Sequence, residues 1–314
     1  MRTRQAERRI WIRRLWLIAC VGLVVPCSVY GAAHNATSTL IQWDADLRFR
    51  ALVAFGLDPL TAVPNDKSRG VYQRLRLGTS LTKGTVKARM QLQVSGAFGS
   101  NAPGDSPIPL GLQVGHLTYQ PKALPNLSVR VGRMALSYGS GRHISEYDFH
   151  REGNAYDGVL LSYRKRPWLK IDTFAVKLRR NTAQPDKERN LLGLYVVGQP
   201  SKSLVTEVYL LELRDRQDAA NSEYRTFGLR LQWDAKRWLW LEVEGAAQIG
   251  TIAPADTKAT RAHIASALNA VVGVRGRLGV PLQCALFADH YSAQTGQSDD
   301  ESRAWRPLYP DLYR

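Results

Sequence analysis

Along most of the chain the apolar positions recur with a period of two. In 44–55, Asp44, Asp46, Arg48 and Arg50 fall on one face, and Ala45, Leu47, Phe49, Ala51, Val53 and Phe55 on the other. That is the alternation of a strand with unlike faces. Segment 85–95 repeats it, with Lys87, Arg89, Gln91, Gln93 and Ser95 opposite Val86, Ala88, Met90, Leu92 and Val94. Arg74 and Arg76 oppose Leu75 and Leu77 in 71–81, Arg230 and Gln232 oppose Leu229 and Leu231 in 225–234, and Glu242 and Glu244 oppose Leu241 and Val243 in 238–249. In 267–277, Asn269, Arg275 and Arg277 oppose Leu268, Val272 and Val274. Strands without clean alternation are expected near 109–119, 127–138, 158–165, 168–179, 190–198, 203–215 and 281–291, giving about thirteen in all.

Many of these strands exceed the ~5–6 residues usual in a soluble sandwich. Strands of ~10 residues, apolar on one face and charged on the other, predict an all-β fold: a transmembrane antiparallel up-and-down β-barrel with lipid outside and a polar lumen inside. Tight turns at 82–84, 121–126 and 199–203 alternate with longer loops at 57–69, 99–108, 139–157, 181–188, 216–223 and 251–262, the short ones expected on the periplasmic side and the long ones outside the cell. Trp43, Tyr72, Phe98, Tyr119, Tyr138, Tyr163, Trp168, Trp233, Trp238 and Tyr291 stand near strand ends, as interfacial aromatics do. Fourteen strands would close at roughly 28 Å across, too wide to fill with wall side chains, so the barrel needs a pore or a plugging loop.

The N-terminus changes the compartment. Arg2, Arg4, Arg8, Arg9, Arg13 and Arg14 precede the short apolar stretch Trp16–Pro26, and small residues follow, so 1–33 reads as a signal peptide and 34–314 as the barrel. The destination is the Gram-negative outer membrane. Of the 314 residues, 43 are Lys or Arg and 27 Asp or Glu, a net charge of +16; removing the signal leaves +11. With 44% hydrophobic residues the chain is no disordered tail. Only Cys284 of three cysteines lies outside the signal, which excludes a disulfide scaffold and a multi-cysteine zinc site.

The chemistry follows the polar phase. Arg48, Arg50, Arg74, Arg76, Lys87, Arg89, Arg230, Arg275 and Arg277 share it on their own strands and would line the lumen, with Asp44, Asp46, Glu242 and Glu244 among them. Guanidinium forks match carboxylate and phosphate geometry, so such a wall concentrates anions; the bland alternative is a network of ion pairs that stiffens the wall. Charges spread one strand at a time do not make a nucleic-acid face. No H-E-x-x-H or G-x-S-x-G motif occurs, and Ser137 to His143 reads as a turn-forming run before a Ser/His pair. No cofactor and no metal is expected.

The run Gly132-Arg133-Met134-Ala135-Leu136-Ser137-Tyr138-Gly139-Ser140-Gly141-Arg142, followed by Tyr156-Asp157-Gly158-Val159, resembles the signature of the alginate-export family of outer-membrane barrels. Segments 209–218, 225–231, 244–250 and 307–310 look like later family segments in the same order, so the resemblance covers roughly 40–314 and is most specific over 130–161. It implies a monomeric porin-like barrel, inserted into outer-membrane lipid by the assembly machinery, that passes an anionic polysaccharide or small anions through an Arg-lined constriction. It also implies Arg133 and Arg142 as pore residues and Asp157 as the acid tying the preceding loop to the wall. Gly153-Asn154-Ala155 stands where the family tends to carry a basic residue, and against the family pattern the chain reads as a barrel short of its last strands. The expected function is a passive, anion-selective channel without catalysis. A structural or adhesion barrel and an outer-membrane lipid-modifying hydrolase are the alternatives.

Overall fold

A computed structural model describes residues 31–34, 39–55, 67–99, 108–148, 153–179, 188–217, 220–253, 260–278, 280–292, 301–306 and 308. Residues 1–30 of the segment read as a signal lie outside these; Gly31–His34 forms β1, paired with β2 at Leu40–Phe55. The chain then runs up and down through β3 (Lys67–Lys83), β4 (Val86–Phe98), β5 (Ile108–Tyr119), β6 (Leu127–Met134), β7 (Ala155–Arg166), β8 (Leu169–Arg179) and β9 (Glu188–Ser201). It continues through β10 (Leu204–Gln217), β11 (Ala220–Lys236), β12 (Leu239–Ile252), β13 (Arg261–Leu278) and β14 (Val280–Tyr291). Each of these strands pairs antiparallel with its sequence neighbours, so β1 to β14 form one path, and the two-residue β15 (Glu301–Ser302) pairs parallel with β13. The thirteen strands expected from the sequence, six of them by clean alternation, are β2 to β14. Among the described residues the fold is all-β.

Alternation explains the walls. Phe227, Leu229, Leu231 and Trp233 of β11 are exposed while Tyr224, Thr226 and Arg230 are buried, and β3 and β13 divide likewise. The outer face is apolar, as a lipid-facing barrel wall requires. Six exposed aromatics, Trp43, Tyr119, Tyr163, Trp168, Trp233 and Trp238, gather at the rim of the tight turns and form an interfacial belt there. Tyr72 and Tyr138 do not join it: Tyr72 is buried on the inner face, and Tyr138 stacks inside on Tyr195.

Two expectations about loops change. The segment 216–223 is not long, because β10 and β11 extend until only two residues separate them. The run 135–154 is long but folds inward. Arg48 of β2 holds Asp148, while Arg142 lies 3.4 Å from Asp289 of β14. Six residues reach at most about 21 Å, whereas β2 and β14 would stand about 58 Å apart in a flat sheet. The sheet therefore curls around this loop.

The inner wall is not polar throughout. Phe174, Val176 and Leu178 of β8, Leu191 and Tyr195 of β9, and Tyr209, Leu211 and Leu213 of β10 form one buried cluster with Met134, Leu136, Ile144 and Tyr156. Burying each such side chain contributes about 1.5–3 kcal/mol. Leu136 and Ile144 thus seat the loop on β8–β10.

Candidate functional site

The site is the inner face where this loop crosses it. β6 stops after eight residues, and the backbone leaves the wall at Met134. Gly132 has a φ of 120°, and a Cβ there would stand 2.4 Å from the Gly115 carbonyl oxygen, so only glycine lets β6 lie so close to β5 at this exit. Gly139 has a φ of 58°, and its Cβ would come within 2.9 Å of Tyr195 Oη and Glu207 Oε2. The loop backbone rests directly on the wall at that point.

One end of the loop meets acids. Ser140 Oγ donates to Glu244 Oε2 at 3.1 Å, His143 Nε2 lies 3.3 Å from Glu244 Oε1, and Arg142 lies between Glu244 and Asp289 at 3.7 and 3.4 Å. His143 also packs against Tyr209 and the edge of Trp305. Residues 301–306 and Leu308 return to the inner face here: Gln248 donates to the Arg306 carbonyl at 2.7 Å, and Leu308 joins the apolar cluster. Tyrosines donate to three acids of this wall. Tyr138 donates to Asp172 at 2.9 Å, Tyr209 donates to Glu244 at 2.9 Å, and Tyr195 donates to Glu207. Burial first, then the Asp172 charge, pushes the Tyr138 hydroxyl well above its usual range, so it stays a donor.

The other end meets arginines. Asp148 Oδ2 accepts from Arg48 at 2.7 Å, Oδ1 accepts from Arg76 at 2.5 Å and lies 3.0 Å from Arg74 Nη1, and its carbonyl accepts from Arg48 and Arg74 at 2.8 Å. Burial acts to raise the Asp148 carboxyl, but the Arg74 and Arg76 charges and the Arg48 hydrogen bond outweigh it and hold it far below the usual carboxylate range. Arg74 also bonds Asp46 at 2.9 Å, Arg89 bonds Asp44, and Arg50 lies over the Tyr72 ring. Below the loop, toward the tight-turn rim, Arg130, Arg164 and Lys170 line a recess of about 490 Å³ with Ser128, Ser162 and Asp172.

The expected residues separate as follows. Arg48, Arg50, Arg74, Arg76 and Arg89 come together on the inner face of β2–β4, and Lys87 stands nearer the rim on the same phase. Arg230 is 5% exposed and locked between Glu207 at 2.8 Å and Glu242 at 2.7 Å, so it braces the wall. Arg275 bonds Asp234 over the Trp240 ring, and Arg277 lies in β13 opposite Pro281. Arg142 reaches the inner face, between Glu244 and Asp289.

Arg133 and Asp157 do not lie in the lumen. They oppose each other across β6 and β7, on the phase of the exposed Val131 and Val159, and bond at 2.8 and 3.1 Å. Arg133 also donates to the Leu112 carbonyl at 2.8 Å, beyond the point where the β5–β6 ladder stops. The pair closes the wall where β6 turns away, and the acid that ties the loop down is Asp148. Ser140 and His143 each turn to Glu244 instead of forming a catalytic pair.

An up-and-down membrane barrel wall with a charged loop across its inner face defines a channel-type protein and fixes nothing narrower. The narrower statement comes from comparison: the family model described as "Alginate export" matches residues 110–314, about two thirds of the chain. The chain belongs to the alginate-export family. No curated protein matches it. The matched span contains the loop and the acidic wall, while Arg48, Arg74, Arg76 and Arg89 lie before it.

Proposed function

We propose that the protein is a passive, anion-selective outer-membrane channel through which an acidic polysaccharide, alginate or a related polyuronate, leaves the cell. The observation that carries this is the convergence of Arg48, Arg74 and Arg76 on one carboxylate at the inner face. A fork that holds a protein carboxylate there has the geometry for a uronate carboxylate. The recess under the loop adds Arg130, Arg164 and Lys170 on the tight-turn side, where a polyanion would arrive. The tyrosine-bound acids opposite give the path a second, differently charged wall, and the signal-like N-terminus supports the outer-membrane address.

The test is the reversal potential of the full chain in planar bilayers under a KCl gradient. A unit charge about 8 Å from the ion path, at an intermediate dielectric, is worth about 1 kcal/mol, or about fivefold in the permeability ratio. Arg74→Gln with Arg76→Gln should therefore lower chloride-over-potassium selectivity severalfold. Arg133→Gln, on the outer phase, should leave it unchanged. Equal reversal potentials for the parent and the double variant would remove the arginine cluster from the function.

A further inference from the structure

We infer that Arg48, Arg74 and Arg76 form a discrete carboxylate-binding site whose occupant at rest is the chain's own Asp148, and that a uronate carboxylate of the transported polymer displaces it. This rests on the function proposed above and deepens it. Three guanidiniums on β2 and β3 meet at one aspartate, with Asp46 the second acid in contact. Removing Asp148 without replacement would leave three guanidiniums close together, with Asp46 on Arg74 and the Glu146 charge near Arg76 compensating only in part, so the site favours another anion in that position. Exchange for another carboxylate meets that preference.

The local structure fits an occupant that can be exchanged. The Asp148 side chain keeps 35% of its surface open and Arg48 keeps 25%, so the pair is reachable from the lumen, whereas Arg74 behind it is 3% exposed and fixed. Tyr147, next in the chain, has a φ of 50°, a region a tyrosine seldom occupies, and its N–H donates to Ser145 Oγ at 2.9 Å. The chain just before is pinned independently: Ser145 accepts at its carbonyl from Asn154 Nδ2 and Tyr156 Oη, both at 3.0 Å, and Ile144 is fully buried. Displacement therefore frees the Asp148 side chain without lifting the loop from its apolar seat. A polymer carries many carboxylates, which raises their effective concentration against the single tethered one.

An internal competitor lowers apparent affinity by the fraction of time the site is free; docking nine-tenths of the time corresponds to about tenfold. The experiment measures block of ion current through the full chain in planar bilayers by a short oligogalacturonate, with a neutral maltooligosaccharide of similar length as control. Asp148→Asn keeps the shape and the backbone carbonyl contacts, and should lower the half-blocking concentration of the oligogalacturonate about tenfold. Asp148→Glu should stay close to the parent, and the neutral sugar should not distinguish the three. Equal half-blocking concentrations for parent and Asp148→Asn, with block present in both, would overturn this inference and leave the channel function standing. Ion conduction with no oligogalacturonate block in any variant would overturn the polyuronate function and this inference with it.

Discussion

Arg230 offers the sharpest test of how the acidic wall is held. Its guanidinium lies between Glu207 of β10 and Glu242 of β12, at 2.8 and 2.7 Å, with Gln232 at 3.0 Å, and all three charged groups are nearly or fully buried. A cation in that position joins three adjacent strands directly beneath Gly139, whose Cβ would stand 3.3 Å from Arg230 Cδ. Arg230→Met keeps most of the volume and leaves two carboxylates without their cation. Breaking a buried ion cluster by removing one partner costs about 3–5 kcal/mol, a large share of the ~5–15 kcal/mol of a typical domain. Removing the charges together costs little, because each ion's desolvation penalty goes with it. The triple variant Arg230→Met, Glu207→Gln, Glu242→Gln should therefore recover most of the loss. Urea unfolding in lipid vesicles, followed by tryptophan fluorescence, measures both. A single variant within about 1 kcal/mol of the parent, or a triple variant as unstable as the single one, would refute the view of Arg230 as a buried brace.

Other outcomes follow from the loop and the rim. Ile144→Ala empties a fully buried position in the loop's apolar seat, should cost about 2–5 kcal/mol, and should raise single-channel conductance as the loop loosens. Gly139→Ala should do the same through its left-handed φ and its contacts with Tyr195 and Glu207, and a conductance equal to the parent's would contradict the close approach. Asp148 has a folded-state carboxyl held far below its ordinary 3.8, so its contribution to docking is complete above that value and is lost only as pH falls through the much lower folded one. Conductance should accordingly be flat between pH 7 and about 4.5, and a rise in that window would show another group controlling the loop. The tight-turn rim exposes Lys83, Lys122, Lys165, Arg166, Lys202, Lys236 and Arg237. Replacing Lys122, Lys202 and Lys236 by Gln should slow the association of oligogalacturonate at low salt and leave it unchanged near 1 M salt, where screening shortens to about 3 Å.

How much of this the sequence displayed depends on which forces act locally. Period two located β2, β3, β4, β11, β12 and β13, because each strand's two faces meet different surroundings within a few residues. The basic cluster of β2–β4 was legible for the same reason: Arg48, Arg74, Arg76 and Arg89 sit on clean polar phases. Arg133 was separable too, since it shares its parity with Val129 and Val131; the family motif drew attention to the residue but not to its face. Asp148 was not legible. Its partners lie 72 to 100 residues away, and nothing near it marks it apart from the other polar residues of a long loop.

The strands that alternate poorly carry a signal of their own. Segments 168–179, 190–198 and 203–215 read as irregular because Phe174, Val176, Leu178, Leu191, Tyr195, Leu211 and Leu213 put apolar side chains on the phase that a water-filled barrel would keep polar. Facing a water-filled lumen such an inner wall would be costly, so it requires a cover. The cover comes from Met134, Leu136, Ile144 and Tyr156, apolar residues in and beside the loop that starts where β6 ends early. Loss of alternation on three neighbouring strands, together with apolar residues inside a glycine-rich loop, thus locates a plug and its seat from opposite sides. The same division explains the charges: with β8–β10 given over to seating the loop, the loop's two ends reach the charged strands on either side, carrying an arginine to the acids of β12–β14 and an aspartate to the arginines of β2–β4.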